Sequence, residues 1–298
     1  MAAVLQTQTL PIGREAARRG IAIYLAVLIA GSAVLEAIII KQGGLTDPTA
    51  GALVLVLMYV PAFASVVARL VGREGFEDVS FRWGGRTGTR ATATAWLLPL
   101  AVAIPAYTVA WMSGLVGFAA PAGGVLASIE NPVIRMVAMI GVALTVGTLF
   151  SCLSAFGEEV GWRGYLVPRL VQAKIPAPAL VSTSIWCGWH VPLILWGGYA
   201  TGSNPALSAL LFVAAILPVG LLYAKWRMAT GSVWPCVVAH GAWNVIVQSV
   251  FDPFATGPNA PTWIGESGIL TVIMIWLVYL VIRDRTCAGT LADPVSQQ

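Results

Sequence analysis

The stretch from residue 133 to residue 163 reads VIRMVAMIGVALTVGTLFSCLSAFGEEVGWR. Its first part, Val133–Phe156, is almost wholly apolar, and a helix of about 20 such residues crosses the hydrocarbon core of a bilayer. The run ends in two adjacent carboxylates, Glu158 and Glu159, followed by Arg163. This stretch therefore predicts a membrane-spanning helix that carries ionisable groups near one end.

The rest of the chain has the same apolar character. Of its 298 residues, 58% are hydrophobic and 10% are charged, whereas a soluble domain carries roughly 25% charged residues. A soluble fold of this size could not hide so much apolar surface, so we expect an integral membrane protein with the lipid bilayer as its partner. The net charge of +4 is scattered between apolar runs, which argues against nucleic-acid binding.

Seven further runs are apolar enough to cross the membrane. Together they predict an all-α polytopic membrane protein of about eight transmembrane helices, organised as a single transmembrane domain over residues 1–298. The predicted spans are Ile21–Ile40, Leu53–Val71, Ala93–Val116, Val133–Phe156, Ala179–Trp196, Ala206–Ala224, Val233–Phe251 and Gly268–Ile282. Residues 285–298 are expected to form a disordered polar tail.

The basic residues predict the orientation, because cytoplasmic loops carry an excess of lysine and arginine. With a cytoplasmic N-terminus, 15 of the 17 basic residues fall in or beside cytoplasmic segments, and only Lys41 and Arg135 do not. An odd number of spans would break this alternation, so both termini are predicted to be cytoplasmic. The first apolar run lacks a small-residue cleavage site, so we expect a retained span rather than a signal peptide. The alanine- and arginine-rich composition favours a bacterial plasma membrane.

Ionisable groups at membrane depth are costly, so each one is a candidate functional residue. Both histidines of the chain, His190 and His240, lie within predicted spans. Glu159 and Arg163 stand at i and i+4 with the acid first, which is the favourable order for an ion pair on a helix. Glu158 is rotated by about 100° around the same helix, so it can face a cavity while Glu159 is neutralised.

Two further pairs of residues share a helix face at i and i+4. These pairs are Trp186 with His190, and His240 with Asn244. Counted from the predicted cytoplasmic ends, His240 lies about 10 Å deep and His190 about 16 Å deep. Each pair taken alone is also explained by ordinary hydrogen bonding between membrane helices. Their convergence with Glu158 favours one common site.

The three motifs, taken together, resemble those of the CAAX-protease and bacteriocin-processing family of intramembrane endopeptidases. They are Glu158-Glu159-x-x-x-Arg163, Trp186-x-x-x-His190 and His240-x-x-x-Asn244. The likeness covers a motif-bearing catalytic core at residues 133–251, and the outer spans match only in number and hydropathy. Trp186 stands where phenylalanine is commoner, which we expect to be a conservative change.

The resemblance implies an endopeptidase that cleaves a peptide or lipidated protein near the cytoplasmic membrane face, as CAAX prenyl proteases do. It implies a cavity open to the cytosol and to the membrane interior. Glu158 would act as general base on a water that His190 holds and polarises, and His240 with Asn244 would stabilise the oxyanion. Glu159, Arg163 and Trp186 would support them.

Two mechanisms fit this set of residues. One is a metal-free glutamate mechanism. The other is a metalloendopeptidase, in which Glu158, His190 and His240 bind a zinc ion that keeps an open position. The sequence supports the zinc alternative less strongly, because the chain has no helical His-x-x-x-His pair.

Two other classes of function compete with the protease. An ion-coupled transporter or channel would also need intramembrane charges, but it predicts related halves and the sequence shows no internal repeat. A non-enzymatic scaffold or immunity protein could keep this fold, although the intact Glu158, His190 and His240 argue against it. Glu36, in the first span, is expected to snorkel or to pair with Lys41.

Overall fold

A computed structural model describes residues 12–283 of the protein. Helix dominates this part of the chain, and two short strands, β1 (Gly117–Phe118) and β2 (Ala255–Thr256), form an antiparallel ribbon. The α-helices in chain order are α1 (Arg14–Lys41), α2 (Ala50–Gly72), α3 (Gly85–Met112), α4 (Pro132–Val142), α5 (Thr148–Gly161), α6 (Val167–Gln172), α7 (Pro178–Trp196), α8 (Pro205–Thr230), α9 (Trp234–Trp243), α10 (Ala260–Trp263) and α11 (Ile269–Ile282). Wider π-helical turns cover Ala143–Gly147, Trp162–Leu166 and Asn244–Phe251.

The helices confirm the predicted class of an all-α polytopic membrane protein. Six helical segments are long and apolar enough to cross a bilayer, and one of them is the continuous run of α4, α5 and α6 over Pro132–Gln172. The seventh predicted span corresponds to α9 with the π-helical segment that follows it. The eighth corresponds to α11, which is apolar but has only 14 residues. The count of eight and the placement of the termini stay predictions, and the predicted polar tail lies outside the described residues.

The connecting segments gather at two opposite ends of the bundle. At one end the Leu45 N–H donates to the Gly197 carbonyl at 2.8 Å, and at the other the Val233 N–H donates to the Ser80 carbonyl at 3.0 Å. Following the predicted orientation, we call these the outer end and the inner end. The outer end comprises residues 42–49, 113–131, 197–204 and 252–268, and the inner end comprises residues 73–84, 173–177 and 231–233.

Two glycines one turn apart let α5 approach α2 closely. A Cβ placed on Gly157 would lie 2.7 Å from the Met58 carbonyl oxygen, and one on Gly161 would lie 2.5 Å from that of Pro61. Membrane helices commonly use small residues at this spacing to bring two backbones together. The contact brackets Glu158, so the position of that carboxylate depends on it.

Two buried arginines are neutralised at the inner end. Arg69 and Arg169 are both 0% exposed, and Asp78 forms an ion pair with each of them. Glu74 pairs with Arg169 at 2.6 Å. Partial burial opposes the ionisation of Asp78, but the hydrogen bond from Arg169 and the two arginine charges outweigh it, so the pKa of Asp78 lies below its ordinary value. These pairs fix the loop after α2 to the far end of the long helix that carries Glu158.

Replacing Gly161 with alanine should separate α2 from α5 and destabilise the protein by about 1–3 kcal/mol, because the added methyl group overlaps the backbone of Pro61. The measurement is the thermal midpoint of the protein in detergent. Gly141→Ala is the matched control, since a Cβ there meets nothing within 4 Å. Equal midpoints for the two variants would contradict this account of the packing.

Asp78→Asn should cost about 3 kcal/mol, because it leaves two buried guanidinium groups with less compensation. Since folding lowers the pKa of Asp78, its contribution is present above the unfolded pKa of about 3.9 and is lost as the pH falls through the folded value. Denaturant titrations in detergent should therefore separate wild type from variant at pH 7 and bring them together at low pH. Glu77→Gln, which removes an exposed carboxylate from the same loop, should match the wild type throughout.

Candidate active site

The structure brings the three motifs together between α5, α7 and α9. Trp186 Nε1 donates to Glu158 Oε2 at 2.9 Å, and His240 Nε2 lies 3.9 Å from Glu158 Oε1. One cavity of about 100 Å³ is lined by Glu158, His190, His240 and Asn244, together with other residues. The four residues proposed from sequence for catalysis therefore line a single cavity.

Glu159 forms the ion pair with Arg163 that their spacing on the helix predicted. Its Oε1 accepts a hydrogen bond from Arg163 at 2.9 Å and lies 2.8 Å from His240 Nδ1. Both members of the Glu159–Arg163 pair are fully buried. Because an ionised carboxylate can only accept, His240 Nδ1 carries a proton and the ring turns its Nε2 toward Glu158.

Trp186 connects the carboxylate of Glu158 to this ion pair. Its indole ring lies under the Arg163 guanidinium, with 4.2 Å between the Cζ atom and the ring centroid, a distance typical of a cation–π contact. Its N–H donates to Glu158 at the same time. Phenylalanine has no such donor, so tryptophan adds a hydrogen bond to Glu158 that the commoner residue could not make, and the expectation of a conservative change stays a prediction.

His190 is held in one orientation by its own helix and by aromatic neighbours. Its Nδ1 lies 2.9 Å from the backbone oxygen of Trp186, and since that oxygen can only accept, Nδ1 is the donor. The ring packs against Trp189, Phe212 and Tyr199, with centroids 4.8, 4.9 and 5.7 Å away. In the neutral ring Nε2 is therefore unprotonated and free to accept a hydrogen bond.

The cavity beside Glu158 extends toward the outer end. Leu45 and Tyr199, which belong to loops of the outer end, line it together with Gln248. In the predicted orientation this is the side away from the cytosol, and the expected opening to the cytosol stays a prediction. Two features explain this direction. The Cα–Cβ bonds of a helix tilt toward its N-terminus, and the N-terminus of α5 lies on the outer side, so the Glu158 side chain leans outward. His190 lies less than two turns before the outer end of α7.

The side chains of the site bear on whether it could hold a metal ion. Among residues 12–283, no group of three or more histidine, cysteine, aspartate or glutamate side chains is arranged to hold one. Glu158, His190 and His240 therefore do not form such a group in this arrangement.

Glu36 neither snorkels nor pairs, which corrects the expectation from sequence. It is 7% exposed, and its Oε1 is buried without a hydrogen-bond partner. It lies on the buried face of α1 with Ser32, whose hydroxyl accepts a hydrogen bond from Trp189 Nε1 at 2.6 Å. Glu36 is not among the residues that line the cavity beside Glu158.

Two residues next to the site carry no recognisable motif in the sequence. Tyr199 stacks on His190 and donates its hydroxyl hydrogen to Glu266. Glu266 also accepts a hydrogen bond from Trp243 Nε1 at 2.7 Å. Only the apolar setting of Glu266, just before the last predicted span, could have drawn attention to it.

Comparison with known families supports a proteolytic function for this chain. Residues 133–246 match the family model described as type II CAAX prenyl endopeptidase Rce1-like. The matched segment contains all three motifs and ends shortly before the predicted core does. No curated protein matches the chain. In general terms, the match supports a CAAX-type intramembrane protease with a peptide or protein substrate.

Proposed function

We propose, on the premise that this chain belongs to the CAAX-protease and bacteriocin-processing family, that it is an intramembrane endopeptidase with Glu158 as its general base. The observation that carries the proposal is the placement of Glu158. Its carboxylate is buried, it lines a cavity together with both histidines, and a neighbouring ion pair neutralises the adjacent Glu159. A single carboxylate is thereby left for proton transfer.

The proposed reaction begins with a water positioned between Glu158 and Nε2 of His190. Glu158 takes a proton from this water as its oxygen bonds to the scissile carbonyl carbon, and the carbonyl oxygen becomes an oxyanion. Glu158 then passes the proton to the departing nitrogen as the C–N bond breaks. The products are a carboxylic acid and an amine, and the base returns to its starting state.

His240 and Asn244 are proposed to stabilise the oxyanion. The carboxylates of Glu159 and Glu158 face the two nitrogens of the His240 ring, so a proton on each nitrogen has a carboxylate nearby. With both protons in place, Nε2 can donate to the oxyanion when the substrate is bound. Donors fixed in a low-dielectric site stabilise developing charge more than they would in water.

Glu158→Gln should lower kcat/KM by about 10³-fold, because it removes the general base and keeps the shape of the side chain. The measurement is peptide cleavage by the full-length protein in detergent, read by mass spectrometry with lipidated and unlipidated substrates. Glu130→Gln, which removes an exposed carboxylate of the outer end, should cleave like the wild type.

Each outcome of this assay bears on one part of the proposal. Equal product from wild type and Glu158→Gln would overturn the assignment of the base. A chelator should leave the rate unchanged, and a loss that added zinc restores would overturn the metal-free mechanism. Absence of cleavage of every peptide would favour the scaffold function over the protease.

Trp186→Phe should lower kcat roughly tenfold, because Glu158 loses a charge-assisted hydrogen bond that holds it in place. We expect a smaller change in KM, since Trp186 acts through Glu158. Trp196→Phe makes the same substitution on the same helix at a position that is 66% exposed, and it should behave as the wild type. Equal kcat values for the two variants at matched thermal midpoints would contradict the positioning role.

A further inference from the structure

A second and larger cavity opens at the outer end. Its volume is about 440 Å³, and its lining includes Asp252, Glu266, Ser267, Tyr199 and Gln248. We call it the acidic cavity. Two of its lining residues are carboxylates, and no lysine or arginine lines it among the residues that the structure describes.

Neutral groups hold both carboxylates of the acidic cavity. Glu266, which is 5% exposed, accepts hydrogen bonds from Tyr199 and Trp243. Asp252 accepts one from the Tyr107 hydroxyl. These donors orient the carboxylates without cancelling their charge.

The pKa of Asp252 is shifted by these surroundings. Desolvation raises the pKa of Asp252 to about 7, and the charge of Glu266 adds to the rise, while the hydrogen bond from Tyr107 opposes it. Two ionised carboxylates that line one cavity repel each other, and a cation bound between them would relieve that repulsion.

Ser267 supplies an independent indication of a ligand. It lines the acidic cavity, it is 2% exposed, and its Oγ has no hydrogen-bond partner. A buried hydroxyl without a partner costs free energy. A cationic ligand of the acidic cavity would bring N–H donors to a wall that holds this unpartnered acceptor.

The acidic cavity adjoins the candidate active site. Tyr199 and Gln248 line both this cavity and the one beside Glu158. Glu266 is hydrogen-bonded to Tyr199, which stacks on His190, and to Trp243, which precedes Asn244 in the chain. A ligand at Glu266 is therefore one side chain away from the catalytic histidine and asparagine.

We propose that the acidic cavity is a substrate subsite that binds a cationic group of the peptide cleaved at Glu158, either a lysine or arginine side chain or a free amino terminus. The proposal rests on the proposed peptidase function and adds a specificity to it. Because the two cavities share Tyr199 and Gln248, and an extended peptide advances about 3.3 Å per residue, we expect the cationic group within a few residues of the scissile bond. A lone metal ion is a poorer occupant, because the described residues offer no group of three or more ligands for one.

The test is a positional scan with the full-length protein in detergent. A peptide that the wild type cleaves is made as a series in which one position at a time is lysine or glutamine, with free and acetylated amino termini as separate arms. We expect one position, or the free terminus, to raise kcat/KM roughly tenfold over its neutral counterpart. Glu266→Gln and Asp252→Asn should each bring that ratio toward one, whereas Glu130→Gln should keep it at the wild-type value.

The possible results separate this proposal from the one on which it rests. Cleavage that depends on Glu158 but shows no cationic preference at any position would overturn the subsite and leave the peptidase standing. A preference that persists in both Glu266→Gln and Asp252→Asn, at thermal midpoints near the wild type, would also overturn it.

Failure to cleave any peptide would count against the peptidase, and the subsite would then be judged by binding. Fluorescent lysine and glutamine peptides would be titrated into wild type and Glu266→Gln. Tighter binding of the lysine peptide to the wild type, lost in the variant, is the expected result. Equal affinities of the two peptides for the wild type would overturn the subsite.

Discussion

The buried contact among Glu159, Arg163 and His240 is the interaction on which the rest of the site depends. A charged side chain inside a membrane protein is stabilised chiefly by pairing, because lipid offers it no alternative solvent. Here one carboxylate oxygen meets both the guanidinium and the imidazole. This three-residue contact thereby joins α5 to α9. The stacking of Arg163 on Trp186 extends it to α7. Removing one partner would leave an uncompensated charge at the junction of three helices.

Helix packing and charge pairing support each other around this junction. The close approach of α2 to α5 requires Gly157 and Gly161, and the carboxylates lie between and beside these glycines. The inner-end arginines then tie the continuation of the same long helix to the loop after α2. The packing against α2 and the inner-end ion pairs therefore hold the helix of Glu158 on both sides of that residue. The indole of Trp186 contacts Glu158 from α7. Such constraint is what a proton-transferring group requires if its geometry is to persist through a reaction.

Local patterns in the sequence predicted the parts of this structure that local rules control. The apolar run Val133–Phe156 predicted a spanning helix, and the spacing of Glu159 and Arg163 predicted their ion pair, since both depend only on helix periodicity. Glu36 was misjudged, because its surroundings are set by distant helices. Tyr199 and Glu266 escaped notice for the same reason: an irregular loop and the turn before α11 meet only in the folded chain. The direction of the cavity likewise depends on where loops far apart in sequence come together.

The π-helical segment that starts at Asn244 has a consequence for how this site can change over time. A π turn accommodates a wider ring of backbone atoms than an α turn, and it behaves as if a residue had been inserted into a regular helix. Side chains that follow the start of a π-helical segment are rotated about the helix axis relative to a regular α-helix. Gln248, which borders both cavities, lies within this π-helical segment. The residues before it, including His240, keep their α-helical register. Evolution can therefore lengthen or shorten this segment and rotate the wall that Gln248 contributes to both cavities, while Glu158 and His240 stay in place.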